Sequence, residues 1–362
     1  NVFAAFDDPR LPSRFAGPPD PLAHPPLDQA IAGWNGLSDS AKAILGPYLT
    51  PPYHEGSHWD PSSRASAERA RVAAAPNAPW CAGTSSVVLE SWHFVEATQG
   101  PAAGKVRVWY QDRYAATDAA LAADLLSTIE TKIWPALTTL MGREPLPDGG
   151  GTGFCGGGSD AVDIALVDAD RGATNSTGLS QESTSARMVF PRSGPQAAKP
   201  ILAHEFMHMI QFSYPFSSGH MGSGENQWLR EGTAQWAQDY VSSPQYGIGL
   251  APNQTEHQAL PYFFPYPDKS LDSTEPANHT YGSYVFWLWA VRAGGNPNLV
   301  PQAWNAVGSQ KSLEAAQSVF GSGWDQAWKD FTRTNWNQDP VTNHQSCDAI
   351  TSTPAIAAEG TL

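Results

Sequence analysis

The chain has 362 residues, enough for one large domain or two smaller ones and for a sizeable core. Its formal net charge is -14 with no Lys/Arg cluster anywhere, which excludes nucleic acid as a partner and disfavours an anionic membrane surface. Charged residues are only 15% of the chain, against 32 Gly, 31 Pro and 14 Trp, a loop-rich globular composition and not a disordered one.

No apolar run approaches the ~18 residues of a membrane span. The sequence starts at Asn1 without a signal-peptide pattern, as expected of a processed mature form. Three cysteines, Cys81, Cys155 and Cys347, are too few for a disulfide scaffold; one disulfide and one free thiol are expected, with the pairing open. Asn175-Ser-Thr, Asn253-Gln-Thr and Asn278-His-Thr fit the glycosylation sequon. Secretion is the expectation.

In chain order, residues 1–80 form a Pro-rich N-terminal extension, with Pro-Pro at Pro18-Pro19, Pro25-Pro26 and Pro51-Pro52. Within it Leu27 to Leu49 predicts one or two short helices, with Leu37, Ile44 and Leu45 available for docking. The extension reads as a surface-wrapping arm or as the remnant of a pro-segment near a cleft. A folded domain is expected over residues 81–342, with lobes at about 81–216 and 217–342 and a tail at 343–362. Val87 to Val95, Gly104 to Tyr110, Ala161 to Val167 and Ala186 to Phe190 predict strands. Thr117 to Met141 predicts one long helix with a kink at Pro135, because Leu121, Leu125, Ile129, Ile133 and Leu137 step by four. Helices follow at Pro200 to Phe212, Asn226 to Val241, Tyr281 to Ala293, Val300 to Val307, Ser312 to Phe320 and Trp324 to Trp336. Strands first and helices afterwards predict an α+β fold with a cleft between its halves.

The chemistry concentrates in His204-Glu205-Phe206-Met207-His208. Residues i and i+4 share a helix face, so both imidazoles can reach one Zn²⁺. Glu205 points about 100° round the helix, where a carboxylate can take a proton from a metal-bound water. A third ligand must lie downstream. A metzincin would carry Gly and His three and six residues after His208, where this chain has Gln211 and Tyr214. His220 sits in a Gly/Ser loop without flanking order. Glu231, mid-helix in Trp228-Leu229-Arg230-Glu231-Gly232-Thr233-Ala234, is better placed, with Gly232 and Ala234 leaving room for the motif helix.

His-Glu-x-x-His followed by a Trp-x-x-Glu-Gly-x-Ala helix resembles the gluzincin clan of zinc metallopeptidases. His-Glu-Phe-x-His-Met-Ile with Trp-Leu-x-Glu-Gly looks most like the hyicolysin-type secreted bacterial peptidases, and Tyr281-Gly282-Ser283-Tyr284 resembles a third block of such enzymes. The resemblance covers residues 198–294. It implies a zincin-like two-lobed catalytic domain, Zn²⁺ held by His204, His208 and Glu231, Glu205 as general base, and Tyr281 as oxyanion donor, with His279 and Tyr284 as rivals. It also implies a protein or peptide substrate and a monomeric enzyme. Thermolysin-like members place an acid four residues after the glutamate ligand; here Gln235 stands there, with Asp239 as a substitute. The Gly-x-Met-Glu-Asn motif of clan aminopeptidases is absent from the strand before the motif helix, Ala186-Arg187-Met188-Val189-Phe190, which as an edge strand would align a peptide. An endopeptidase is therefore expected. A catalytically silent binding protein of the same fold and a zinc amidase acting on cell-wall peptide or glycopeptide stay open. Asp160, Asp163, Asp168 and Asp170 flank one strand and are candidate Ca²⁺ ligands.

Overall fold

The computed structural model describes residues 33–59, 88–148, 156–169, 172–177, 183–194, 197–216, 224–251, 255–276 and 278–335. Expectations for Cys81, Cys155, Cys347, Asp170, His220, Asn253 and residues 343–362 lie outside them.

Five strands form one mixed sheet: β1 (Trp92–Glu96), β2 (Val106–Gln111), β3 (Val162–Val167), β4 (Ala173–Ser176) and β5 (Ala186–Pro191), in the order β1-β2-β3-β5-β4. The central β2, β3 and β5 run parallel, and β1 and β4 flank them antiparallel. Beyond the sheet the chain is mainly helical, so the fold is α+β. Two of the expected strands, β3 and β5, lie within a residue of their predicted bounds. β4 was not expected: four small or polar residues give no apolar run. β4 is also the outer strand, so Ala186–Pro191 is interior, hydrogen-bonded to β3 on one side and β4 on the other. It is no edge for an added peptide.

Cross-strand register separates the sheet into two faces. Val108, Ile164, Met188 and Thr174 align on one, and Trp109, Ala165, Val189 and Ala173 on the other. The first face joins an apolar core that continues through the helices to Phe331, so the sheet and the helical half share one interior. Here lie α2 (Ala115–Thr128) and α3 (Trp134–Met141), joined by a π turn at Ile129–Ile133. The single long helix expected there is present as one continuous helical run over residues 115–141, with its irregularity just ahead of Pro135. Pro135 has no N–H for the Thr131 carbonyl four residues back, and the ladder widens to Trp134 N–H donating to Ile129 O.

The second face is covered by residues 33–59, including α1 (Asp39–Leu49), which Ser38 caps by accepting from the Ala41 N–H. Tyr48, Leu49, Tyr53 and Trp59 are buried against Trp92, Trp109 and Val189. Of the three docking residues expected, Leu37 and Leu45 pack at the margin of this layer, while Ile44 faces outward at 46% exposure. Beneath the layer the Asp163 carboxylate accepts from Tyr53 Oη (2.7 Å), Trp109 Nε1 (2.7 Å) and the Gly157 N–H (2.8 Å). Burial holds the Tyr53 hydroxyl well above its ordinary range, with the Asp163 charge reinforcing it. Burial also lowers the nearby Arg187 guanidinium to about 10, opposed by Tyr53 and Asp163. Arg187 donates to Leu49 O, tying α1 to β5.

These contacts remove Asp163 as a calcium ligand, since its oxygens are already used. Asp160 and Asp168 are exposed at opposite ends of β3 and do not converge with it. Asn175 and Asn278 are 6% and 9% exposed, leaving little surface for a glycan at either sequon.

Replacing Asp163 with Ala strands three buried donors beside a buried guanidinium. A loss of about 3 kcal/mol or more is expected in urea unfolding, on the scale of ~1–3 kcal/mol per orphaned group. A loss below about 1 kcal/mol would show that the Asp163 hydrogen bonds do little to hold the 33–59 layer.

Candidate metal centre

The motif helix, α4 (Lys199–Gln211), has Pro200 in its first turn and is buried on every side from Pro200 to Gln211. Phe206 packs on Trp134 at 5.4 Å between ring centroids. His204, His208 and Gln211 fall at i, i+4 and i+7, a single polar stripe. That stripe meets α5 (Gly224–Ser242), whose Glu231, Gln235 and Gln238 repeat the same spacing. Gln211 contacts Arg230 and Thr233 while His204 contacts Gln238, so the stripes run antiparallel.

Among the described residues, His204, His208 and Glu231 form the one metal-competent group, with ligand atoms all within 4.8 Å of one another. His204 Nε2 and His208 Nε2 lie 3.1 Å apart, and Glu231 Oε2 lies 3.6 Å from the first and 3.3 Å from the second. Zinc at ~2.0–2.1 Å from each of three tetrahedral ligands would space them by about 3.3 Å. The triangle fits that spacing, and two imidazole nitrogens with one carboxylate oxygen suit zinc.

Each of the three candidate ligands has a holder. Arg230 grips Glu231 Oε1 through Nε (2.8 Å) and Nη2 (2.6 Å), which leaves Oε2 as the oxygen facing the imidazoles. His208 Nδ1 faces Gln211 Oε1 at 2.7 Å, and His204 Nδ1 faces the Gln238 amide at 3.2 Å. Burial holds the His204 imidazole below its ordinary range; its hydrogen bond to Glu231 opposes this and the His208 ring adds to it. A neutral imidazole is the form that ligates metal.

Glu205 lies outside the triangle. The Thr174 hydroxyl on β4 is 2.8 Å from its Oε2 and 3.0 Å from its backbone carbonyl. A Cβ at Gly172 would come within 3.2 Å of Glu205 Cγ, so glycine there leaves room for the carboxylate.

Tyr281 belongs to α6 (His279–Gly282), which packs on α5 ahead of α7 (Tyr284–Gly294). Its ring lies parallel to His204, with centroids 6.2 Å apart and 8° between planes. Burial holds the Tyr281 hydroxyl well above its ordinary range, the Glu231 carboxylate reinforces that, and Arg230 opposes it. It therefore stays protonated at neutral pH. His279 is elsewhere engaged: its ring nitrogens lie 3.1 Å from Tyr262 O and 3.1 Å from Ser270 O, and it stacks on Phe263. Tyr284 is fully buried at the start of α7.

Three expectations change. Gln235 does not touch a histidine directly; its Oε1 accepts from Gln238 Nε2 at 2.9 Å, and Gln238 reaches His204. Asp239 is no substitute, being paired with Arg292 at 3.1 Å. Gly232 makes room for the α6–α7 junction and not for α4, since a Cβ there would lie 2.5 Å from Ser283 Oγ and 3.3 Å from the Tyr284 nitrogen. Gln211, Gln238 and Thr174 were not expected at the site. Helical spacing from His208 and Glu231 could have marked the two glutamines; nothing local marks Thr174.

No family model matches the chain, and no curated protein matches it. Solved structures do. An M1 zinc metallopeptidase from Deinococcus radiodurans is 15% identical, with 69% of this chain and 53% of that one covered and a TM-score of 0.40. A two-domain M1 zinc metallopeptidase mutant bound to L-tryptophan is 14% identical, with 66% and 51% covered and a TM-score of 0.38. An aminopeptidase N family protein from Idiomarina loihiensis is 10% identical, with 74% and 48% covered and a TM-score of 0.37. The chain spans about half the length of these structures.

Gly232→Ala tests the α5–α6 contact. An exposed helical Gly→Ala change stabilises by about 0.5–1 kcal/mol. Here a loss of about 1–3 kcal/mol is expected from overpacking, read as a lowered melting temperature.

Proposed function

We propose that this chain is a zinc-dependent endopeptidase of the gluzincin type. The triangle of His204 Nε2, His208 Nε2 and Glu231 Oε2, at 3.1–3.6 Å spacing, carries the reading. Zinc, when bound, supplies a Lewis acid that acidifies water and polarises a peptide carbonyl. Glu205 is the general base: the Thr174 hydroxyl holds Oε2, and the carboxylate takes the proton of the attacking water and returns it to the leaving amine. Tyr281, kept protonated by burial beside Glu231, donates a hydrogen bond to the oxygen on which charge develops. Arg230 fixes which oxygen Glu231 presents.

An internal peptide bond is the preferred target. Capture of a free amino terminus calls for a carboxylate on the strand lining the base, and Gly172-Ala173-Thr174-Asn175-Ser176 has none. Secretion and the hyicolysin-type affinity belong to the same proposal and are supported by the three sequence blocks over residues 198–294.

Metal analysis together with casein or peptide-library cleavage tests the assignment. Glu231→Ala is expected to lower zinc occupancy strongly. Glu205→Ala should retain zinc and lose at least ~10²-fold in turnover, the scale of a general base. Equal zinc retention in the two variants removes Glu231 as a ligand, and wild-type protein that holds zinc yet cleaves no peptide bond removes the peptidase reading. Tyr281→Phe should lower kcat by roughly 10²-fold without changing zinc content. Unchanged kcat would remove Tyr281 as the oxyanion donor.

A further inference from the structure

We infer that Gln238, steadied by Gln235, is the positioning residue of His204, as Gln211 is of His208, so that both imidazoles are held by uncharged amides. The inference rests on the zinc reading above.

Gln211 is fixed in one sense. Its Nε2 donates to Arg230 O (3.0 Å) and to Thr233 Oγ1 (3.0 Å). Thr233 Oγ1 itself donates to Leu229 O at 2.6 Å, so its lone pairs are left to accept from Gln211 and from Trp304 Nε1. With the amide nitrogen so engaged, Gln211 Oε1 faces His208 Nδ1 at 2.7 Å and sets the proton there. His208 Nε2 then presents its lone pair towards His204 and Glu231.

The Gln238 amide stands in the corresponding place, 3.2 Å from His204 Nδ1, and also contacts Gln235 at 2.9 Å. A histidine that ligates through Nε2 carries its proton on Nδ1 and needs an acceptor there. The amide can supply one only through its oxygen, in which case Gln235 is the donor to that same oxygen. A glutamine can meet either requirement, because its two ends are nearly equal in size and shape. An amide pulls less on the Nδ1 proton than a carboxylate would, so each ligand remains a weaker base.

Zinc affinity, read by competition with a chromophoric chelator, tests this independently of activity. Gln238→Met keeps the bulk and removes both polar atoms; it is expected to weaken zinc binding about 10- to 100-fold. Gln238→Glu supplies an ionised acceptor and is expected to bind zinc as tightly as wild type or several-fold more tightly. Melting of each zinc-stripped variant identifies any that fails to fold, and the Glu variant decides alone if the Met variant does. Gln238→Met within twofold of wild type overturns the proposal. So does Gln238→Glu weakening zinc binding below wild type, which would mean that the amide nitrogen is the required end. If wild-type protein binds no zinc, the parent reading fails instead, and the two failures are distinct.

Discussion

Burial of charge between α4 and α5 is the constraint on which the site depends. His204, Glu205, His208, Arg230 and Glu231 are all less than 5% exposed. An ionised group taken from water needs compensation by pairing, hydrogen bonding or metal coordination. The facing polar stripes of the two helices meet part of this need, Arg230 pairs with Glu231 within α5, and Thr174 on β4 holds Glu205. Glu231 pairs with the Arg230 guanidinium and faces two imidazoles, of which burial holds His204 below its ordinary range. That balance favours a cation at the point where the imidazole nitrogens and Glu231 Oε2 converge. Chemistry and stability thus use the same atoms: Phe206 and Met209 of α4 and Trp228 and Trp236 of α5 belong to the apolar core, and polar contacts beside such a core are stronger than in water.

How much of this was legible in the sequence follows from the range of each contact. His204 and His208 lie on one helical turn, and Glu231 sits mid-helix with recognisable neighbours, so the ligand triangle could be read from local spacing. Gln211 and Gln238 occupy the same stripes, but glutamine is compatible with any half-polar helix and carries no chemical label of its own. Thr174 was beyond reach. It meets Glu205 only because β4 pairs with β5 in the register Thr174↔Met188, which turns it towards α4. A four-residue strand of small and polar side chains offers no periodicity from which to infer that pairing.

The mistaken edge strand had a readable sign. All six residues of β5, Ala186 to Pro191, are buried, as expected of an interior parallel strand covered on both faces. β3 shows the same pattern. Two strands buried on both sides require two covering layers, and the helices α2 and α4 provide only one. The missing cover is the segment 33–59, whose Pro-rich sequence reads as solvated arm because its packing residues, Trp34, Tyr48, Leu49, Tyr53 and Trp59, follow no helical or strand period. Asp163 in the middle of β3 was read as a possible metal ligand for a related reason. An acid in a buried strand needs partners, and here they are a tyrosine and an indole from distant parts of the chain and a backbone amide six residues before it.

That covering layer also bears on the proposed catalytic base. Leu49 at the end of α1 accepts from Arg187 on β5, and Val189 and Ala173 belong to the apolar cluster beneath α1. Arg187 pairs with Asn175 across the β5–β4 ladder, and Val189 with Ala173. Thr174, between those two residues of β4, points through to the opposite face and holds Glu205. Successive strand residues face opposite sides, so fixing Ala173 and Asn175 from one side fixes the direction of Thr174 on the other. The position of the Glu205 carboxylate is thus set by packing on the far side of the sheet as well as by its own helix. A short outer strand suffices for this task, because its register comes from β5 and its side-chain directions from the layer that covers it.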